Sequence, residues 1–467
     1  MQIFTGVVFL SDTIAAIATG GAVSAIGIVR ISGGGAIAAA DSVFRAVSGV
    51  KLADAENRRM YYGELIGRSG ELLDLCLCMI SREPDSYTGE DTAEFHCHGS
   101  PVVLSEVLRV LFSHGIRQAR AGEFTKRAFL NGRMDLTQAE AVIDLIEAET
   151  PVSAQNAACQ LRGAIGIKLE SVYSSLLDVI AHFHAVIDYP DEDIDEFKIS
   201  GYLSSLKNAE KELSYLLSTH ERGRTLRDGI PTAIVGRPNT GKSSLLNALL
   251  GYERAIVTDL PGTTRDTIEE KAVIGGVVLR LIDTAGMRET DSTVEKLGVE
   301  RTLSAMQCAG LVILVLDGSQ PLQAEDFSTL RSIPEGIPKL TVVNKSDLPN
   351  VLSFSALDEL GLEYCRISAV TGAGLEVLDA EIKKMFPFPE IGACSSGEII
   401  TNARQAEAIS RALDSVGLAI AAISASVTPD AVLTDIESAL TAIGEVTGKT
   451  MREDIISRIF DRFCVGK

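Results

Sequence analysis

The stretch TAIVGRPNTGKSSLLNALL (Thr232 to Leu250) decides the fold of the middle of the chain. A short apolar strand runs into GRPNTGKSS (Gly236 to Ser244), and a helical pattern follows at once. The spacing GxxxxGK[ST] in this strand–loop–helix setting predicts a phosphate-binding loop. Its glycines let backbone N–H groups approach phosphate oxygens, and the helix N-terminus favours anionic charge. Lys242 is then placed to bridge the β and γ phosphates and Ser243 to ligate Mg2+, with Asn239, Thr240, Gly241 and Ser244 completing the loop.

Further motifs extend this reading downstream. DTAG (Asp283, Thr284, Ala285, Gly286) ends another strand about forty residues on. There an Asp can reach the Mg2+ shell and a Gly amide can sense the γ-phosphate. NKSD ends a third strand, VVNK, and supplies Asn344, Lys345 and Asp347. The Asp347 carboxylate can accept from guanine N1–H and N2–H2, a donor pair that adenine lacks, and a buried carboxylate deprived of donors discriminates severely. Ser368 and Ala369 of SAVTG support the base. Together these motifs predict a guanine-nucleotide domain and GTP as substrate. Met287 stands after DTAG, where a water-orienting Gln is common, and a thioether cannot polarise water. Glu295 in RETDSTVEKLGVER is the candidate replacement; from chemistry alone a solvated helix-face glutamate is the simpler reading.

The remaining texture sets this domain in a larger chain. With 467 residues, several domains are expected rather than one core. Residues 1–130 mix strands (IAAIAT, IGIVRIS, MYYGELI, LDLCLCMI) with helices (AIAAADSVFRAV, VVLSEVLRVLF), an α+β pattern. Residues 131–228 are helical, with the acidic DYPDEDIDEF as a loop. Between 229 and 386, apolar strands alternate with helices, which predicts a parallel-sheet α/β domain. Residues 387–467 return to helix, with Ile455, Ile456, Ile459, Phe460 and Phe463 forming one stripe. The fold class is therefore multidomain α+β and α/β, with the nucleotide domain inserted into a helical domain made of two segments.

The 63 acidic and 43 basic side chains give a charge of −20, which opposes a chain that wraps nucleic acid unaided. The eight Cys lie far apart, except Cys76 and Cys78, whose spacing suits neither a disulfide nor a CxxC metal clip. A reducing compartment follows. The opening MQIFTGVVFLSD lacks a positive n-region, and Ile14–Val29 is short for a bilayer span, so a cytoplasmic, non-membrane protein is expected. His96 and His98, or His182 and His184, have no further ligands at convincing metal spacing.

From its first strand to its last residue the chain resembles the MnmE (TrmE) family of tRNA-modification GTPases. The resemblance rests on IGIVRISG, SYTGEDTAEFHCHGS, AGEFTKRAFLNGRMDLTQAEAVIDLI, GRPNTGKSS, TDLPGTTRD, DTAGMRET, NKSD and the terminal CVGK. It implies an N-terminal domain (1–130) like folate-binding aminomethyltransferase folds, which mediates homodimerisation. It implies a helical domain in two parts (131–228 and 387–467) and an inserted GTPase domain (229–386). It further implies an FAD-dependent partner, MnmG (GidA), in a heterotetramer or larger complex that holds tRNA mainly through that partner. Together they would install an aminomethyl-type group at C5 of the wobble uridine.

By motif, the resemblance makes Asn239 a K+ ligand, with Thr258, Leu260 and Thr263 of TDLPGTT completing that site. Thr264 joins Ser243 on Mg2+, and Glu295 becomes the catalytic carboxylate. A hard monovalent cation beside the phosphates can neutralise developing charge. For a reduced folate of the 5,10-methylene- or 5-formyl-tetrahydrofolate type it points to Arg30, Glu94, Arg133 and Lys467, with an ordinary strand-edge ion pair as the alternative for Arg30 and Glu94. A carboxylate suits pterin donors, and Arg and Lys suit the glutamate tail. Arg133 stands where many members carry Lys, which keeps the charge and alters the geometry. Cys464 either packs as a small hydrophobe or lies by the one-carbon chemistry. Two rival readings differ from this one. A ribosome-assembly GTPase of the Era or EngA kind would append a basic RNA-binding module, whereas the stretch after Pro389 is alanine-rich and not basic. A standalone folate-dependent aminomethyltransferase would turn over folate without the flavoprotein.

Overall fold

In MYYGELI the alternation of small or apolar with outward residues sets one strand: Tyr61 and Leu65 are buried, while Met60 and Tyr62 face solvent. A computed structural model describes residues 12–188, 199–252, 270–282, 305–387, 397–425, 429–461 and 463–466. The first strands are β1 (Ile14–Ile17), β2 (Ser24–Ser32), β3 (Phe44–Ala46), β4 (Met60–Ile66), β5 (Leu72–Ser81), β6 (Thr92–Gly99) and β7 (Arg117–Gln118). They form one sheet in the order β3-β4-β5-β6-β2-β1-β7. Pairing is antiparallel throughout except for β1 with β7. One face carries Phe95, Ile31, Cys78 and Leu65 against the helices Ala36–Val43 and Pro101–Ser113. The second helix lies so close that a Cβ at Gly27 would meet Leu104 Cδ1 at 2.5 Å. The helical reading of AIAAADSVFRAV holds only to Val43; Phe44–Ala46 instead pairs with β4, Phe44 opposite Leu65.

The nucleotide-domain strands are β8 (Ile230–Val235), β9 (Glu270–Ile274), β10 (Val277–Leu281), β11 (Leu311–Asp317), β12 (Lys339–Asn344) and β13 (Tyr364–Arg366). Their order is β13-β12-β11-β8-β10-β9. The sheet is parallel, as expected, until its edge, where β9 pairs antiparallel with β10. Gly275 and Gly276, at φ 63° and 76°, close that hairpin, a two-residue turn that needs positive φ at both positions. Every residue of β11 is buried, as a central strand covered on both faces requires.

Helices Leu136–Ile146, Pro151–Leu161, Ala164–Asp188 and Ile199–Ser218 precede the nucleotide domain, and Ala403–Ser424, Pro429–Thr447 and Glu453–Phe460 follow it. Ala164–Asp188 packs on Pro429–Thr447, so segments from both sides of the insertion meet. Of the terminal stripe, Ile456, Phe460 and Phe463 are buried against Leu136 and Ala139, Ile459 is half-buried, and Ile455 is exposed. The chain divides into two compact units: Met1–Ile143 with Leu161–Glu210 and Arg411–Lys467, and Asp144–Gln160 with Lys211–Ser410. The acidic loop after Asp188 lies outside the described residues. No helix among the described residues is long and apolar enough to cross a membrane.

Candidate functional site

The phosphate loop joins β8 to the helix Lys242–Tyr252, which starts at the motif lysine. Gly236 and Gly241 take positive φ, at 148° and 94°, and a Cβ at Gly241 would collide with the Asn344 amide. Only glycine allows that approach. Lys242 Nζ donates to the carbonyls of Gly236 and Arg237, each at 2.9 Å. Burial pushes its pKa below the ordinary lysine value. An anionic phosphate arriving here meets a cation already held within the loop. Thr240 is fully buried and its hydroxyl donates to Arg237 O at 3.1 Å. Asn239 adopts φ 65°, a left-handed conformation that Asn tolerates better than most residues. Ser243 and Ser244 are exposed at the helix start.

Asn344 ties the motifs together. Its side chain is buried; Nδ2 donates to Thr240 O at 2.9 Å, and Oδ1 accepts the Ala369 amide at 3.0 Å. Phosphate loop, NKSD and SAVTG are thus stapled by one amide, whose donor and acceptor are both used inside the protein. Ser368 Oγ donates to Asp347 Oδ1 at 2.6 Å and accepts the Thr371 amide at 3.2 Å. The expectation of a buried carboxylate does not hold here: Asp347 is exposed. Lys345, at φ 65°, donates to Asp317 Oδ2 at 2.7 Å. Thr258, Leu260, Thr263, Thr264, Asp283, Thr284, Ala285, Gly286, Met287 and Glu295 lie outside the described residues.

In the first sheet Arg30 (β2) stands directly opposite Glu94 (β6), and Arg30 Nε donates to Glu94 Oε1 at 2.7 Å. The guanidinium carbon lies 5.2 Å from the Tyr87 ring centroid and 5.7 Å from that of Phe124. His96 Nε2 faces Glu94 Oε2 at 3.5 Å. A carboxylate so held presents acceptors beside aromatic surface, which suits a flat ligand with adjacent N–H donors. Arg133 is exposed, and its stem runs past Gly89: a Cβ there would meet Arg133 Cγ at 3.2 Å. Cys464 is also exposed; its carbonyl accepts the Gly122 amide at 3.2 Å, and Val465 bridges Ala121. Gly466 sits against Ile17 O, at a spot where a Cβ would clash. Lys467 lies outside the described residues.

Beneath these residues runs a charge network that sequence reading missed. Arg127 is fully buried and donates to Asp12 O at 2.9 Å, Asp12 Oδ1 at 2.8 Å, Glu90 Oε2 at 3.0 Å and Glu123 Oε1 at 3.1 Å. Glu90 also accepts Ser32 Oγ at 2.7 Å, and Arg117 caps Glu123 at 2.6 and 3.0 Å. SYTGED and AGEFTKR are therefore fastened by charge as well as by packing. The visible signal was Glu123 and Arg127 at i, i+4 on one helix face. The thiols of Cys76 and Cys78 point into the core, and burial pushes that of Cys78 far up. No His, Cys, Asp or Glu group among the described residues is arranged to hold a metal ion.

Known proteins share this architecture along its length. A family model for the TrmE N-terminus matches residues 13–133, and one for the MnmE helical domain matches 136–464, spanning both sides of the inserted nucleotide domain. The tRNA modification GTPase MnmE of Alkaliphilus metalliredigens is 44% identical over 98% of this chain and 100% of that protein. The protein of the same name from Clostridioides difficile is 40% identical, again over 98% and 100%. A solved structure of Era with MgGDPNP and 16S ribosomal RNA nucleotides is 28% identical over 40% of this chain and 66% of that one; its TM-score of 0.26 carries no weight. On the matches that run its whole length, the chain belongs to the MnmE family of tRNA modification GTPases.

Proposed function

We propose that this chain is the GTP-hydrolysing subunit of a complex that builds an aminomethyl or carboxymethylaminomethyl group onto C5 of the tRNA wobble uridine. In this reading it acts as a homodimer with an FAD-dependent MnmG-type partner and draws a one-carbon unit from a reduced folate. Its parts are 1–130 for folate and dimerisation, 131–228 and 387–467 for the helical domain, and 229–386 for GTP hydrolysis. The observation that carries the proposal is the pairing of two separate sites in one chain: the stapled phosphate loop, and Arg30–Glu94 between Tyr87 and Phe124. A guanidinium-held carboxylate beside two aromatic rings offers ligand chemistry that a nucleotide switch alone does not require, which favours this reading over the ribosome-assembly one.

In the nucleotide site, Lys242 and the loop amides hold the phosphates, Ser243 with Thr264 and Asp283 serve Mg2+, and Asp347 reads guanine. Bound Mg2+ would neutralise phosphate charge, and K+ held by Asn239, Thr258, Leu260 and Thr263 would add to it. Glu295 orients the water that Met287 cannot. In the folate site, Glu94 accepts from the pterin, Arg30 holds Glu94, and Arg133 and Lys467 face the glutamate tail. Mass analysis of wobble-position nucleosides in tRNA from cells lacking the protein tests the proposal. Loss of the C5-substituted uridines is expected, and an unchanged nucleoside profile refutes it.

A further inference from the structure

We infer that Asp317 is a positioning residue for nucleotide binding, acting through Lys345. Asp317 closes β11 directly opposite Asn344, the first residue of NKSD, and its side chain is only 3% exposed. Both of its oxygens are committed. Oδ1 accepts the Ser319 amide at 2.9 Å and the Ser319 hydroxyl at 2.6 Å, and Oδ2 accepts Lys345 Nζ at 2.7 Å. Burial pushes the Asp317 carboxyl up, but the Lys345 ammonium and the Ser319 donors outweigh it and hold it below the ordinary range. The charge is therefore kept where an isolated buried carboxylate would be expensive.

Lys345 sits at φ 65° in a loop that must deliver Asp347 to the base. A residue that is neither Gly nor Asn keeps a left-handed backbone only when its surroundings over-determine it. Three anchors do so: the Ser346 amide to Ile367 O at 3.0 Å, the Leu348 amide to Lys345 O at 3.0 Å, and Asp317 on the side chain. Asp317 is the anchor reached only through a side chain, so it is the one that a substitution can cut without touching the backbone. By fixing the lysine stem it fixes the turn between Asn344 and Asp347. This rests on the reading of NKSD as the base site, and the test separates the two.

GDP and GTP dissociation constants are measured for the full chain and for Asp317→Asn, Lys345→Met and the double variant. Asp317→Asn keeps an acceptor for Ser319 and removes the charge facing Lys345. Each single variant is expected to weaken both nucleotides about tenfold or more, and the double variant to be no weaker than Lys345→Met alone, the non-additivity of a shared mechanism. Asp317→Glu, which restores the charge, should recover part of the loss, and Asp317→Ser, which keeps a hydroxyl acceptor without the charge, replaces Asp317→Asn in the cycle if that variant does not fold. Unchanged affinity in Lys345→Met refutes the base-site reading and the proposal with it. Normal affinity in Asp317→Asn, or losses that simply add, refutes the positioning role alone.

Discussion

Replacing Arg127 by Met removes a fully buried guanidinium and leaves three carboxylates behind, Asp12, Glu90 and Glu123. Glu123 retains both Arg117 bonds and the Arg120 amide at 2.8 Å, and Asp12 retains Arg117. Glu90, 14% exposed, keeps the Ser32 hydroxyl but loses its ion-pair partner. Stripping one partner from a buried pair costs about 3–5 kcal/mol. With Arg117 still in place the lower end applies, about 3 kcal/mol, or about 6–12 °C in the melting of a unit of this size. Burial raises the Asp12 and Glu123 carboxyls, and the Arg117 and Arg127 guanidiniums more than reverse it, so both titrate below their ordinary values. Groups depressed in the folded chain contribute stability that is full above the unfolded carboxylate range near pH 4 and is lost as pH falls through the folded values. The deficit of the variant should accordingly be full from pH 7 down to about pH 4 and shrink only below it. Scanning calorimetry at several pH values measures it, with GTPase turnover at saturating GTP as the control from the other unit. A deficit under about 1 kcal/mol, or one that does not change with pH, refutes the role assigned to the network.

Four other outcomes are expected. Asp347→Asn should move preference from GTP toward xanthosine triphosphate by about 3 kcal/mol, because donors meeting a mismatched buried partner are lost; competition binding reads the ratio. Arg30→Ala should weaken folate binding and leave GTP hydrolysis intact, since it frees Glu94 in the first sheet only, and equilibrium folate binding beside a GTPase assay shows whether the two losses separate. Hydrolysis should run faster in potassium, rubidium or ammonium than in sodium, and Glu295→Ala should lower turnover with nucleotide affinity nearly unchanged, the mark of a group that acts in the transition state. Equal rates in sodium and potassium would remove the cation from the mechanism.

What the sequence made legible was whatever depends on near neighbours. The phosphate loop could be read because its strand, glycines and helix are contiguous, whereas Arg30 and Glu94 were singled out only by family motif, and it takes the β2–β6 register to set them opposite each other. The antiparallel β9 was legible in principle, since EKAVIGGVVLRL sets two apolar runs around Gly275–Gly276. Phe44–Ala46 was not: the helical pattern continues through it, and only pairing with Leu65 and Gly63 turns it into strand. Arg127 escaped because charged residues are mostly exposed, and nothing local says which arginine is fully buried. Asp317 hid as the last residue of an apolar strand. Asp347, expected to be buried, lies in water in the protein alone, because burial there needs a ligand and not a neighbouring residue.

The bridge between Ala121 and Val465 has a consequence for how the chain is made. Phe129 and Leu136, in the block that follows Ala121, are covered by Phe460, Phe463 and Ile456, and Lys126 waits for Ser457 at 2.9 Å. On the ribosome those partners emerge roughly 340 residues later, about 17–70 s at ordinary synthesis rates. During that interval the first sheet can close on its own helices, while the AGEFTKRAFLNGRMDL segment holds an uncovered aromatic surface. The most vulnerable moment of this protein thus falls before release, and chaperone occupancy on nascent chains should peak over that segment and fall when the last helix emerges.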